Sequence, residues 1–284
     1  PISKENVLKS PSIYPYVLLI SLTSSTMLFS LMSTTCSFSG FLLKISLTTA
    51  CPIDPAPPIT RNEDETTIHT NKGEFTSKFM VFCSGLQADR MAKKDGLKLK
   101  EKIVPFRGDY YELAAQAQHK VKNLIYPVPD PAFPFLGVHF TRMVGGGVEC
   151  GPNAVFSFKR EGYNKTDFSF KDSFDALSYR GTWKLFLGNI SYGINEYRRA
   201  FSKKMFLKSL QQMIPSLTMD DIEPGRAGVR AQLLSQNGDT RDDFRIEHQG
   251  NSIHVLNAPS PAATASLAIG KYIALEAEKK FGLK

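Results

Sequence analysis

The sequence has no CxxC pair, and none of its four cysteines, Cys36, Cys51, Cys83 and Cys150, stands at a zinc-ligand spacing from paired histidines. That excludes a structural zinc site, implies no metal, and points to free thiols in a reducing compartment. No run of lysine or arginine is present either. The formal net charge of +8 is scattered among acidic residues, which suits anionic small molecules or a membrane surface better than nucleic acid. No repeat recurs along the chain. Nor is there a GxGxxG turn: in the run 145–151 Cys150 stands where the third glycine belongs, and the glycines lie between two strand-like runs. That run is read as a turn in a sheet.

Another absence is local. From Pro11 to Leu43 there is no charged residue, while Ser, Thr, Leu, Phe and Met crowd the stretch. It is long enough to cross a bilayer, yet it is diluted by hydroxyl side chains, contains Pro15 and Gly40, and lacks a signal-peptide cleavage site. Three readings stay open for it: a membrane anchor through residues 13–43, an unstructured leader, or a frameshifted or mis-joined segment. Whichever holds, residues 1–60 are expected to pack loosely, since they carry no amphipathic pattern.

What is present begins near Thr66. Residues 66–85 alternate, turn at Asn71-Lys72-Gly73 and alternate again, which predicts a hairpin. A short helix is expected over Ala88 to Lys94. Strands are expected over Lys102 to Leu113, Asn123 to Val128, Gly137 to Val144, Val148 to Phe156, Phe244 to Glu247 and Ser252 to Leu256. Helices are expected over Asp172 to Leu187, Tyr192 to Met213 and from about Ala262 to Phe281. The order indicates an α/β class of mixed α+β character.

Few positions carry chemistry. Arg230 sits in the apolar run 227–231, where a buried guanidinium needs an anionic partner, internal or a substrate carboxylate held at two points. Arg107 raises the same choice, with Asp109 a ready internal partner. His139 alternates with apolar neighbours and is a proton-transfer candidate only if a site assembles around it. The other histidines stand singly. In 257–264, Ser260 is read as a helix cap and Pro261 as the first helical residue, with small side chains that let a planar group approach the backbone. A capped helix and a cofactor-binding turn fit that segment equally.

The stretches PFRGDYYEL (105–113), NLIYPVPDPAFPFLGVHFTRM (123–143), GPNAVFSFKREGY (151–163), AGVRAQ (227–232) and NAPSPAAT (257–264) together resemble the L-2-hydroxyglutarate dehydrogenase/oxidase family of D-amino-acid-oxidase-like flavoproteins. Residues 82–89 resemble the strand and turn that close the FAD domain. The resemblance implies an FAD domain interwoven with a substrate domain on a large mixed sheet. Residues 66–100 and 225–284 would belong to the FAD domain and 101–224 to the substrate domain, with 1–65 unassigned. It implies oxidation of L-2-hydroxyglutarate to 2-oxoglutarate, with quinone or oxygen as the final acceptor and no nucleic-acid partner.

By the same resemblance Arg230 holds a substrate carboxylate, Arg107 and Tyr110 face the substrate, and His139 is the catalytic base. Gly85, Ser260, Pro261, Ala262, Ala263 and Thr264 border FAD. A bacterial member would be cytoplasmic or peripheral at the inner membrane, a eukaryotic one mitochondrial. The GxGxxG half is not in the sequence, so the chain reads as truncated. Two expectations follow: a flavoenzyme inactive and colourless as given, or a non-catalytic, membrane-tethered remnant that binds dicarboxylates.

Overall fold

β-Strand Gly73–Cys83 (β5) organises the first of two units, because its first half and its second half pair with different neighbours. A computed structural model describes residues 14–21, 44–45, 59–70, 73–128 and 137–283. Strands Tyr14–Ser21 (β1), Lys44–Ile45 (β2), Ile59–Arg61 (β3) and Thr66–Thr70 (β4) precede β5, and Arg245–Gln249 (β11) and Ser252–Asn257 (β12) complete a seven-stranded sheet. β4 and β5 form the expected antiparallel hairpin, its turn residues 71–72 lying outside the described residues. β1 and β12 flank β5 in parallel.

Helix Ala88–Lys94 (α1) packs on one face, where Met80, Phe82, Ile68 and Met91 form a core. Helix Ser266–Phe281 (α6) covers the other with Ile269 and Ile273 against Val81, Ile253 and Val255. The alternation along β5 sends Met80 and Phe82 to one core and Val81 to the other. Each fully buried side chain of this size contributes about 1.5–3 kcal/mol.

The first unit comprises residues 1–101 and 241–284, the second residues 102–240. The second is built on Lys102–Leu113 (β6), flanked along its length by antiparallel Ile222–Leu234 (β10). His139–Arg142 (β7), Val148–Gly151 (β8) and Val155–Phe156 (β9) complete five strands. Helices Phe170–Leu177 (α2), Arg180–Gly188 (α3) and Ile190–Phe201 (α4) bring Ala176, Leu185 and Tyr197 to a core with Val104, Phe106, Phe156 and Leu234. Helix Lys203–Leu210 (α5) brings Phe206, Leu207 and Leu210 to a separate core with Tyr111, Leu113, Phe140 and Cys150. Cys83 and Cys150 are free thiols, while Cys36 and Cys51 lie outside the described residues.

Several expectations need correction. The two long helices divide into four, because Ser202 caps α5 by accepting from the Met205 N–H and the chain breaks at Ser178–Tyr179 and Asn189. Asn123 to Val128 is not a strand; only Ile125 bridges to Phe140. Pro152, which has no N–H to give a ladder, separates β8 from β9. As expected, the glycine run 145–147 is a turn in the sheet, joining β7 to β8, with Gly146 and Gly147 at positive φ. Among residues 1–65 the described parts are β1, β2, β3 and the bend 62–65 that follows it. The rest of the anchor candidate 13–43 lies outside the described residues, as does 129–136 of the long family-like run. Among the described residues no helix is long and apolar enough to cross a membrane.

Candidate functional site

In the first unit, two segments leave the same edge of the sheet. β5 and β12 run parallel with Val81 opposite Ile253 and Phe82 opposite His254, so Ser84-Gly85 and the loop from Asn257 to Ala265 both follow carboxyl ends of neighbouring strands. Ligands in open α/β sheets bind at that edge. Gly85 turns the chain at φ +51°, a conformation that other residues resist. Ser84 Oγ is fully buried and has no hydrogen-bond partner among the described residues. Ser260, Pro261, Ala262, Ala263 and Thr264 are all exposed and small, an open ledge for a planar group. These residues fit a flavin edge.

The helix-cap reading of Ser260 is overturned. α6 starts at Ser266 after Ala265, because residues 261–264 form a separate turn in which the N–H groups of Ala265 and Ser266 bond the carbonyls of Pro261 and Ala263.

A buried network steadies this edge. Asp95 accepts from Arg61 Nη2 at 2.6 and 2.7 Å and pairs with His254 Nε2 at 2.7 Å, while the same Arg61 nitrogen donates to Ser252 Oγ at 2.8 Å. The His254 ring stacks on Phe82 with centroids 4.5 Å apart. β3, the end of α1 and β12 are thereby tied together. No local spacing in the sequence links Arg61, Asp95 and His254, so single-residue inspection missed them.

In the second unit, alternation divides the candidates between the two faces of the sheet. Tyr110, on β6, shares its face with Glu112; Glu149 lies opposite Glu112, Thr141 opposite Glu149, and His139 opposite Gly151. A side chain at Gly151, which sits at φ +141°, would come within 3.1 Å of the Tyr110 ring, so glycine leaves a gap between Tyr110 and His139. The His139 ring stacks on Tyr126 at 4.4 Å, and its Nδ1 lies 3.1 Å from the Gly137 carbonyl. A carbonyl only accepts, so Nδ1 carries the proton and Nε2 keeps a lone pair. Burial lowers the imidazole below its ordinary range, opposed by that carbonyl.

Burial, then Glu149, then Tyr126 raise the Tyr110 phenol, which stays a hydroxyl donor. Burial and Glu112 raise the Glu149 carboxyl, and Arg226 draws it down. Glu223, Glu112 and Glu149 stand in one cross-strand row, an unfavourable alignment of like charge that Arg226 offsets.

Arg107 does not join this face. It projects from the opposite side of β6 and is buried, donating to Asp109 at 2.9 and 3.3 Å and to the Asn164 carbonyl at 2.9 Å. Arg230 lies opposite Phe106 on β10, on the Tyr110 side by alternation, roughly 13 Å along the strand. It is exposed, so the premise that it must be buried fails: the apolar residues of its run point to the other face. Arg226 is nearer the titratable cluster. The four-residue interval from Arg226 to Arg230 was the available signal; nothing marked Glu149 or Tyr126.

Comparison with known proteins fixes the family. The profile of DAO, FAD dependent oxidoreductase, matches residues 56–275. The L-2-hydroxyglutarate dehydrogenase of Indibacter alkaliphilus is 50% identical over 75% of this chain and 54% of its own length. The mitochondrial L-2-hydroxyglutarate dehydrogenase of Nematostella vectensis is 47% identical over 77% and 49%. The L-2-hydroxyglutarate dehydrogenase of Escherichia coli K12 is 46% identical over 71% and 48%. The chain thus spans about half the length of the curated relatives it matches. Among solved structures, FAD-bound L-alpha-glycerophosphate oxidase from Mycoplasma pneumoniae superposes with a TM-score of 0.54 at 19% identity, covering 80% of this chain and 50% of that one, a likeness of fold. With its mixed α/β architecture and a family profile covering most of its length, the chain belongs to the FAD-dependent oxidoreductase family of the DAO fold.

Proposed function

We propose that the chain takes part in oxidation of L-2-hydroxyglutarate to 2-oxoglutarate, with the second unit as substrate domain and the first as part of the FAD domain. The observation that carries this reading is the 46–50% identity to enzymes of that name over 71–77% of the chain. FAD supplies the hydride acceptor when bound. Gly85 and residues 260–264 would border it, and Ser84 Oγ, buried without a partner among the described residues, would be free to give it a hydrogen bond.

The remaining work falls to the sheet face. Arg230 binds one substrate carboxylate through its planar fork, with Arg226 adding positive charge nearby. His139 takes the hydroxyl proton at Nε2, the nitrogen that the Gly137 contact leaves unprotonated. Tyr110 orients the same hydroxyl or a carboxylate oxygen as a donor. Quinone or oxygen then receives the electrons, and the mitochondrial names of the animal relatives suggest that compartment for a eukaryotic source.

The test is direct. 2-Oxoglutarate and L-2-hydroxyglutarate should perturb the His139 ring resonances on titration, and the chain supplied with FAD and a dye acceptor should convert only the L enantiomer. Binding of neither dicarboxylate, or equal handling of D-2-hydroxyglutarate, sinks the reading.

A further inference from the structure

β10 hands the chain to a tight loop at Ser235, and that loop is fastened to helix α3. The Ser235 N–H donates to the Asp239 carbonyl at 3.0 Å, the Gly238 N–H to the Ser235 carbonyl at 3.1 Å, and the Asn237 and Asp239 N–H groups to Ser235 Oγ at 3.1 and 3.2 Å. Gly238 stands at φ +90°, and a side chain there would come within 2.9 Å of the Leu185 nitrogen and 3.1 Å of the Gly181 carbonyl oxygen. Glycine is therefore imposed at position 238 by the turn and again by the approach of α3. The residue before it is Asn237, which makes this the only Asn-Gly pair in the sequence.

That pairing carries chemistry. The backbone nitrogen after an asparagine can attack the side-chain Cγ and close a five-membered ring, and a missing Cβ on the attacking residue removes the steric bar. Asn237 is exposed, and its Nδ2 makes no hydrogen bond among the described residues, so nothing holds the leaving group. Its Oδ1 accepts from Lys184 Nζ at 3.1 Å, which puts a positive donor on the oxygen where negative charge develops as the ring closes. The electrophile is primed while the nucleophile is tied, since the Gly238 N–H must leave the Ser235 carbonyl before it reacts.

We propose that Asn237 is a self-modifying site, which the folded chain converts to aspartate and isoaspartate through a succinimide closed by the Gly238 nitrogen and assisted by Lys184. The bond from nitrogen to Cγ forms as the Gly238 nitrogen gives its proton to solvent base; the Cγ–Nδ2 bond then breaks, and ammonia leaves with a proton from solvent. One water opens the ring. Attack at Cγ restores the original backbone with an aspartate, and attack at the main-chain carbonyl leaves the backbone running through Cγ as isoaspartate. Either product adds one negative charge, and nothing is oxidised or reduced. Aspartate keeps the turn and meets Lys184 as an ion pair. Isoaspartate lengthens the main chain by one atom inside a loop closed at Ser235 and Asp239, so it lifts Gly238 from α3. The site does not depend on the oxidation reading.

The full chain, aged at mildly alkaline pH and digested, should gain about one dalton in the peptide that contains Asn237. Isoaspartyl methyltransferase should label the same peptide. Asn251, followed by serine, and Asn189, followed by isoleucine, should stay unconverted over that interval. Conversion should be faster in urea, where the Gly238 N–H is released. Asn237→Gln, which cannot close a five-membered ring, should abolish both signals. Lys184→Met, with an unchanged circular dichroism spectrum, should slow conversion of the folded chain about three- to fivefold and leave the rate in urea as it was. The isoaspartate form should melt below Asn237→Asp, which carries the same charge. The proposal is overturned by a folded chain that stays unconverted while the urea-unfolded chain reacts, by a folded-state rate that Lys184→Met does not change, or by an isoaspartate form that melts with Asn237→Asp.

Discussion

Arg230 is where the residue-scale argument is sharpest, because exposure separates its two readings. A side chain exposed on a strand face contributes little to stability, so Arg230→Lys should leave the urea midpoint unchanged within about 0.5 kcal/mol. An ammonium cannot reproduce the two-point grip on a carboxylate, so dicarboxylate affinity should fall about ten- to hundredfold. A melt that moves while affinity does not assigns Arg230 to structure instead. His139 makes a prediction in pH. Its folded pKa lies below the ordinary value of 6.5, so between the two the unfolded chain takes up a proton that the folded chain refuses. Stability should therefore rise with pH across that window and flatten above 6.5. Turnover that needs the neutral ring should fall off only at the acid end of the same window. His139→Gln should remove that acid limb and cost about 10²–10⁴ in rate, as loss of a positioned base does. An acid limb that survives in the variant takes His139 out of the proton transfer.

Elements show why glycine holds position 151. At φ +141° and with the Asp109 carbonyl and Tyr110 ring each 3.1 Å from where a Cβ would stand, Gly151→Ala should cost of order 1–3 kcal/mol in a denaturant melt. It should also disturb the Tyr110 and His139 resonances, and an unstrained variant with both unchanged contradicts the gap between those rings. Much at this scale was legible in sequence. Period-two alternation located β5, β6 and β12, and the helix Ala88–Lys94 stands where the pattern put it. Boundaries were less legible where short-range chemistry competes: Ser202 restarts a helix inside an apolar spacing that looks continuous, and the 261–264 turn delays α6. β10 ran unseen through most of its length, because Pro224, Gly225 and Gly228 dilute its alternation and a bulge interrupts it. At the site, His139 was legible as a polar residue in a strand and Tyr110 only through the family resemblance, whereas their neighbours Glu149 and Arg226 arrive from β8 and β10, and only register brings them in.

For the whole molecule, the division into units makes a prediction about parts. Both cores of the second unit, around Phe140 and around Phe106, draw all their members from 102–240. A fragment of those residues should melt cooperatively by circular dichroism, and a non-cooperative melt contradicts its independence. The first unit has no such autonomy, since Val81 is covered by Ile253, Val255 and α6 from the far side of that insertion. The same discontinuity orders events in time. Gly85 and the loop 260–264, which share one sheet edge, are synthesised on either side of 174 intervening residues, 139 of them the second unit. At roughly 5–20 residues per second, nine to thirty-five seconds separate their appearance. During that interval the second unit is free to fold on the ribosome, while the first holds an unclosed edge with Val81 bare. Any ligand of that edge is loaded late, after β12 slides in beside β5, and the waiting hairpin is the stretch that a chaperone would meet.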